Sequence, residues 1–152
     1  MQQNLFTSKL AEISVYYSPK VKFKDMTKIT RSSDIEPVLR AIWSPTIELR
    51  EEFYILLLNR ANRVLGWNRI AQGGISCTAV DVRLIFSIAL KCAASSIILS
   101  HNHPSGNLKP SQADIDITRK IVKAGQLLDI QVLDHVIMTN ESYFSFADEG
   151  LI

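Results

Sequence analysis

Ser96, Ile97, Ile98, Leu99 and Ser100 form a short apolar run that opens directly onto His101-Asn102-His103-Pro104-Ser105-Gly106, and this junction constrains the chain more than any other segment. A run of that length and character reads as a buried strand ending in a turn. Side chains alternate along an extended backbone, so His101 and His103 project to one side while Asn102 points away. Beyond the turn, Pro110 closes the loop and Ser111 stands where a helix N-cap belongs. Residues Gln112 to Leu128 then carry apolar positions at helical spacing: Ile115, Ile117, Ile121, Val122, Leu127 and Leu128. Asp114 falls in the first helical turn, from which its carboxylate reaches back toward the strand end. Two neutral nitrogens and one anionic oxygen leave a fourth tetrahedral position for water, which is the ligand count of a catalytic zinc rather than a structural one. Ser111 and Asp114 also have the spacing of a capping box, favoured by the helix dipole, and one pair can serve both purposes.

The remaining segments predict an α/β chain without internal repeats. Ile13 to Tyr17 and Val21 to Phe23 read as short strands around Pro19. Ser33, Asp34 and Glu36 open a helix ending near Trp43, with Pro37 expected in its first turn. Glu52 to Leu58 and Val64 to Ala71 flank Asn59 to Arg63 as an antiparallel hairpin, and Gly73-Gly74 breaks the second strand. Asp81 caps a helix from Val82 to Ala93. Strand Gln131 to Met138, a turn at Thr139-Asn140-Glu141 and a last strand Tyr143 to Phe146 complete a mixed central sheet flanked by helices.

With 152 residues, 47% of them hydrophobic, the chain can bury one core and is too short for two typical domains. Seventeen basic against 15 acidic residues leave a formal charge of +2, which gives no broad cationic field of the kind a dedicated nucleic-acid binder uses. Five of the basic residues, Lys20, Lys22, Lys24, Lys28 and Arg31, gather between Ser18 and Arg31. The first three alternate with Val21 and Phe23, as on an edge strand whose lysines discourage pairing with other chains. Cys77 and Cys92 lack Cys-x-x-Cys spacing, so no disulfide framework or cysteine metal site is expected. The most apolar stretch, Leu84 to Leu99, is interrupted by Ser87 and Lys91 and follows Arg83, and Met1 to Leu5 has no signal-peptide pattern. A cytoplasmic chain without a membrane span is the resulting expectation.

His-x-His-Pro, six further residues, Ser, two residues and Asp is the JAMM motif, and the string from Ser100 to Asp114 resembles the RadC branch of the JAB/MPN metalloprotease superfamily. EEFYILLL at Glu51 to Leu58, Gly73-Gly74 before Asp81-Val82-Arg83, LDHVI at Leu133 to Ile137 and SFADEGL at Ser145 to Leu151 are similar to the same branch. The resemblance covers roughly residues 30 to 152. It implies a JAB/MPN, cytidine-deaminase-like architecture over residues 31–152 behind a short extension at residues 1–30. It further implies one Zn2+ per chain, held by His101, His103 and Asp114. The helical hairpin segment that usually precedes this domain has no counterpart pattern in residues 1–30, so DNA binding credited to it is not expected from this stretch.

A zinc hydrolase needs a general base that is not a ligand, and Glu48, Glu51 and Glu52 all lie just before the hairpin. The residues alone leave the three open; the resemblance selects Glu51 by its offset from Phe53. It likewise assigns Ser111 to steady the oxyanion of a tetrahedral intermediate. His135 reads as a buried structural histidine sharing a strand face with Leu133 and Ile137, and Asp134 as a polar residue facing solvent. Three functions stay open: a metal-dependent hydrolase acting on a peptide or protein amide, a nucleic-acid role suggested by the RadC family's naming as DNA repair proteins, and a non-catalytic interaction module.

Overall fold

A computed structural model of the chain describes residues 10–11, 13–14, 16–73 and 79–152. Cys77 and Gly74 lie outside the described residues. Three helices, α1 (Ser32–Ile42), α2 (Val82–Lys91) and α3 (Gln112–Leu127), pack on a five-stranded sheet. Its strands are β1 (Glu52–Leu58), β2 (Val64–Gln72), β3 (Ser96–Asn102), β4 (Gln131–Met138) and β5 (Tyr143–Ser145), in the order β2-β1-β3-β4-β5. Only β3 and β4 run parallel; β1 is antiparallel to both its neighbours, and β5 is antiparallel to β4. The sheet is therefore mixed, as expected.

Every residue of β1 and β3 is buried, because helices cover both faces of the sheet centre. Phe53, Ile55, Leu57, Ile97, Leu99 and Val132 face α2 and α3, where Ile85, Phe86, Ala89 and Ile121 meet them. Leu56, Leu58, Ile98, Val136 and Met138 face α1 through Ile35 and Leu39. His101 shares the α3 side with Leu99 by alternation. β4 carries one surplus residue: Ile97 pairs with Val132 but Ile98 pairs with Asp134, leaving Leu133 as a bulge. Leu133 consequently packs on the α1 side, not beside His135 as strict alternation predicts.

Several sequence expectations need correction. Neither Ile13 to Tyr17 nor Val21 to Phe23 forms a strand among the described residues. A 3-10 turn occupies Phe23–Asp25, closed by bonds from the Asp25 and Met26 N–H groups to the Lys22 and Phe23 carbonyls. Lys20, Lys22 and Lys24 are thus exposed without belonging to an edge strand. The segment that does meet the sheet edge is Thr27 to Ile29, bridged at Lys28 to Arg63. Pro37 lies in the second turn of α1, because the Asp34 carboxylate accepts from Thr30 and Arg31 N–H and starts the helix at Ser32. The Ser33 carbonyl that loses its partner belongs to an exposed residue. Helix α2 stops at Lys91 because Ala93 turns left-handed at φ 52°. Leu127 and Leu128 are exposed, while the inward face of α3 is completed by Thr118. β3 runs two residues past Ser100, so His101 and Asn102 are strand residues.

Candidate metal centre

The end of β3 and the start of α3 bring the three expected ligands together. Met138 O accepts from His103 N–H, extending the β3–β4 ladder, and the His103–Gly106 turn closes with a 3.0 Å bond from Gly106 N–H. Gly106 takes φ 81°, a conformation glycine adopts without penalty. On α3 the Ser111 hydroxyl accepts from Asp114 N–H (3.1 Å) while Asp114 Oδ2 accepts from Ser111 N–H (2.7 Å), a complete capping box. His101 Nε2 lies 3.0 Å from His103 Nε2 and 3.2 Å from Asp114 Oδ1, and His103 Nε2 lies 3.4 Å from Asp114 Oδ2. Bonds of about 2.0–2.1 Å in tetrahedral geometry put ligand atoms roughly 3.3 Å apart, so these spacings suit such an ion.

The hydrogen-bond directions make the same point. Thr118 gives its one hydroxyl proton to the Asp114 carbonyl at 2.6 Å, since a carbonyl only accepts. His135 Nδ1, 2.6 Å from that hydroxyl, must therefore donate, and its Nε2 must accept from His101 Nδ1 at 2.7 Å. His103 Nδ1 likewise donates to the Asn107 carbonyl. Neutral His101 and His103 thus both aim lone pairs from Nε2 at the Asp114 carboxylate. Such a convergence of acceptors calls for a cation. His101, His103 and Asp114 form a group able to hold a metal ion.

The electrostatics show the same demand for positive charge. Burial pushes the Asp114 carboxyl upward, but protons on His101 and His103 and the Ser111 N–H outweigh it and hold the group well below the ordinary range, so positive charge is favoured beside this carboxylate, as imidazole protons or as a metal ion in their place. The Asp114 carboxylate raises the proton affinity of His103 against partial burial, with lesser help from Asn107 and Glu51. Complete burial drives His135 well below its usual value, which fits the neutral His135 deduced above. Phe146 stacks on His135 at 4.7 Å and Phe53 lies parallel to His101 at 6.2 Å, so both rings are held.

Beside the ligands a cleft of about 200 Å³ is lined by Glu51, Glu52, Phe53, Val80, His101, Ala113, Asp114 and Ile117. Glu51 is half-buried there. Glu52 is fully buried, and its carboxylate accepts from Arg69 (3.0 Å) and Ser44 (2.6 Å). Glu48 is exposed and borders a separate groove with His103, Pro104 and Glu141. Ser111 is exposed, and its hydroxyl proton is committed to none of the bonds described above. Two side chains had roles the sequence did not disclose. Asp134 lies on the face opposite His135 as expected but is buried instead of facing solvent, its carboxylate accepting from Ser145 Oγ, His135 N–H and Ala147 N–H. Asn102 is buried and bonded to the loop before β1.

A mixed sheet between helices, with a His-His-Asp group at the mouth of its central strand, defines a JAB-type domain. Residues 29–151 match the family model described as RadC-like JAB domain, and the chain belongs to that family. It is 48% identical over 127 residues to a UPF0758 protein of Flavobacterium johnsoniae, covering 83% of this chain and 54% of that protein. A UPF0758 protein of Porphyromonas gingivalis is 39% identical over 137 residues (89% and 60%). UPF0758 protein YfjY of Escherichia coli K12 is 46% identical over 103 residues (68% and 64%). The chain thus spans about half to two thirds of the length of these relatives. No helix among the described residues is long and apolar enough to cross a membrane.

Proposed function

We propose that this domain is a zinc-dependent hydrolase of the JAMM type that cleaves a peptide or isopeptide amide. The observation that carries the reading is the convergence of His101, His103 and Asp114 at the rim of a cleft that Glu51 also lines, while the carboxylate of Glu52 is held by Arg69 and Ser44. His101, His103 and Asp114 would hold the zinc ion, which would supply the Lewis acidity that makes water reactive near neutral pH. Glu51 accepts the proton of the attacking water and returns it to the leaving amine. Ser111 keeps its hydroxyl oxygen on the Asp114 N–H and turns its proton toward the oxygen of the carbonyl under attack. His101 and His103 are kept in the required tautomer by His135 and Asn107.

The test is metal analysis of the purified chain combined with parallel peptide, isopeptide and DNA cleavage assays, with and without a chelator. About one zinc per chain, with amide cleavage that stops on chelation and in His103→Ala, is the expected result. Chelator-sensitive DNA cleavage without amide cleavage, or no metal uptake, overturns the reading.

A further inference from the structure

We infer that Asn102, between the two histidines, is the residue that positions Glu51. Its Nδ2 donates to the Ile47 carbonyl (2.6 Å) and the Arg50 carbonyl (2.7 Å), and its Oδ1 accepts from Glu52 N–H (2.7 Å). Both amide protons and the amide oxygen are thereby used, and exchanging the oxygen and nitrogen would set like poles against each other at all three contacts. The Arg50 carbonyl belongs to the peptide plane entering residue 51, and the Glu52 N–H to the plane leaving it. The φ and ψ angles of residue 51 are the rotations relating those planes. One buried amide therefore grips both and sets the direction in which the Glu51 side chain leaves the backbone. The Glu51 carbonyl is held as well, by Gly73 N–H at 2.8 Å.

Alternation on β3 gives this arrangement its chemical meaning. His101 and His103 project toward the ligand group on one side, while Asn102 projects to the other and reaches round to the loop carrying Glu51. The two histidines and the proton acceptor are then referenced to three consecutive residues at the end of β3. Asn102 acts through Glu51 and touches neither metal nor substrate, so it is a positioning residue.

This inference rests on Glu51 being the proton acceptor, and a double-mutant cycle separates the two ideas. Wild type, Glu51→Gln, Asn102→Ala and the double variant are compared for Zn2+ affinity by chelator competition and, where wild type cleaves an amide substrate, for kcat and KM. Glu51 lines the same cleft as His101 and Asp114, so removal or misdirection of its charge should weaken Zn2+ binding about two- to fivefold. The expected result is that Asn102→Ala lowers kcat at least about 30-fold with KM little changed, and that the double variant is no worse than Glu51→Gln in either measurement. Accelerated exchange of the Glu52 amide proton reports that the grip is broken. Losses that multiply in the double variant, or Asn102→Ala matching wild type, overturn the inference. Absence of cleavage by wild type overturns the hydrolase reading alone, and the Zn2+ cycle still decides this one. Should Asn102→Ala fail to fold, Asn102→Ser takes its place in the cycle, because its shorter side chain releases the three contacts yet leaves a polar group and room for water in the buried site.

Discussion

Glu52 and Arg69 form an ion pair at 3.0 Å in which the carboxylate is wholly buried and the guanidinium side chain is 43% exposed. The preceding residue, Glu51, lines the cleft beside His101 and Asp114. Two adjacent glutamates thus have separable tasks. Glu52→Gln should cost about 1–2 kcal/mol of stability while leaving metal content and turnover near wild type, since the exposed arginine end keeps its water. Glu51→Gln should retain the metal and lose at least about 100-fold in turnover. Thermal unfolding, metal analysis and steady-state kinetics on both variants check the assignment, and the opposite pattern would place the base at Glu52.

The relay from Thr118 through His135 to His101 makes a prediction for metal affinity. Thr118→Val removes the acceptor for His135 Nδ1, freeing His135 to flip its tautomer and His101 to point a proton where a lone pair is required. A fall of about 10- to 100-fold in Zn2+ affinity is expected, with Thr118→Ser close to wild type. Chelator competition measures it directly, and equal affinities for the valine and serine variants would sink the relay.

Gly125 on α3 faces the Ile130 carbonyl so closely that an added Cβ would sit 2.3 Å from its oxygen. Gly125 O also accepts from Ile130 N–H at 2.9 Å, so backbone meets backbone and neither side can yield cheaply. Despite alanine's higher helix propensity, Gly125→Ala should destabilise the chain by roughly 1–3 kcal/mol. Chemical denaturation at fixed metal content is the measurement, and unchanged stability would contradict this packing.

Burial raises the Asp134 carboxyl above its ordinary value, although Ser145 Oγ–H and the Ala147 and His135 N–H groups oppose the shift. A raised folded-state value means that the folded chain binds the proton more tightly than the unfolded chain. The resulting contribution to stability is full below the unfolded value, near 3.8, and is lost as pH rises through the folded value. Asp134→Asn lacks this titration, so wild type should gain on it as pH falls from neutrality toward 4. Melting temperatures of the two proteins across that range test the sign.

The parts of the site legible in the sequence were those fixed by local rules. Alternation put His101 and His103 on one side, and the Ser111–Asp114 spacing announced both the helix start and the third member of the His-His-Asp group. Residues whose roles depend on a distant partner were not readable. Asn102 matters through a loop some 50 residues earlier, and Asp134 through Ser145 across the β4–β5 pair. That the Glu52 carboxylate is tied to Arg69 and Ser44 was equally unreadable, because no local pattern links those residues to this segment. The strand expected at Val21 to Phe23 failed for a related reason: alternation of lysine and apolar residues supplies no ladder, and the local turn at Phe23–Asp25 took its hydrogen bonds instead.

The surplus residue at Leu133 acts like a frame shift within β4. Before it, Val132 keeps phase with Ile97; after it, His135 and Ile137 fall opposite Leu99 and His101 on the side of α3. Pairing Leu133 with Ile98, so that the strand ran on without the bulge, would set Asp134 opposite Leu99 on the α3 side and His135 opposite Ser100 in the α1 layer, whereas deleting Leu133 would leave Asp134 opposite Ile98 and His135 opposite Leu99. The connection between α3 and β4 can vary in length without that exchange. The bulge, and not the length of the strand, therefore decides whether the centre is backed by an imidazole or by a second carboxylate.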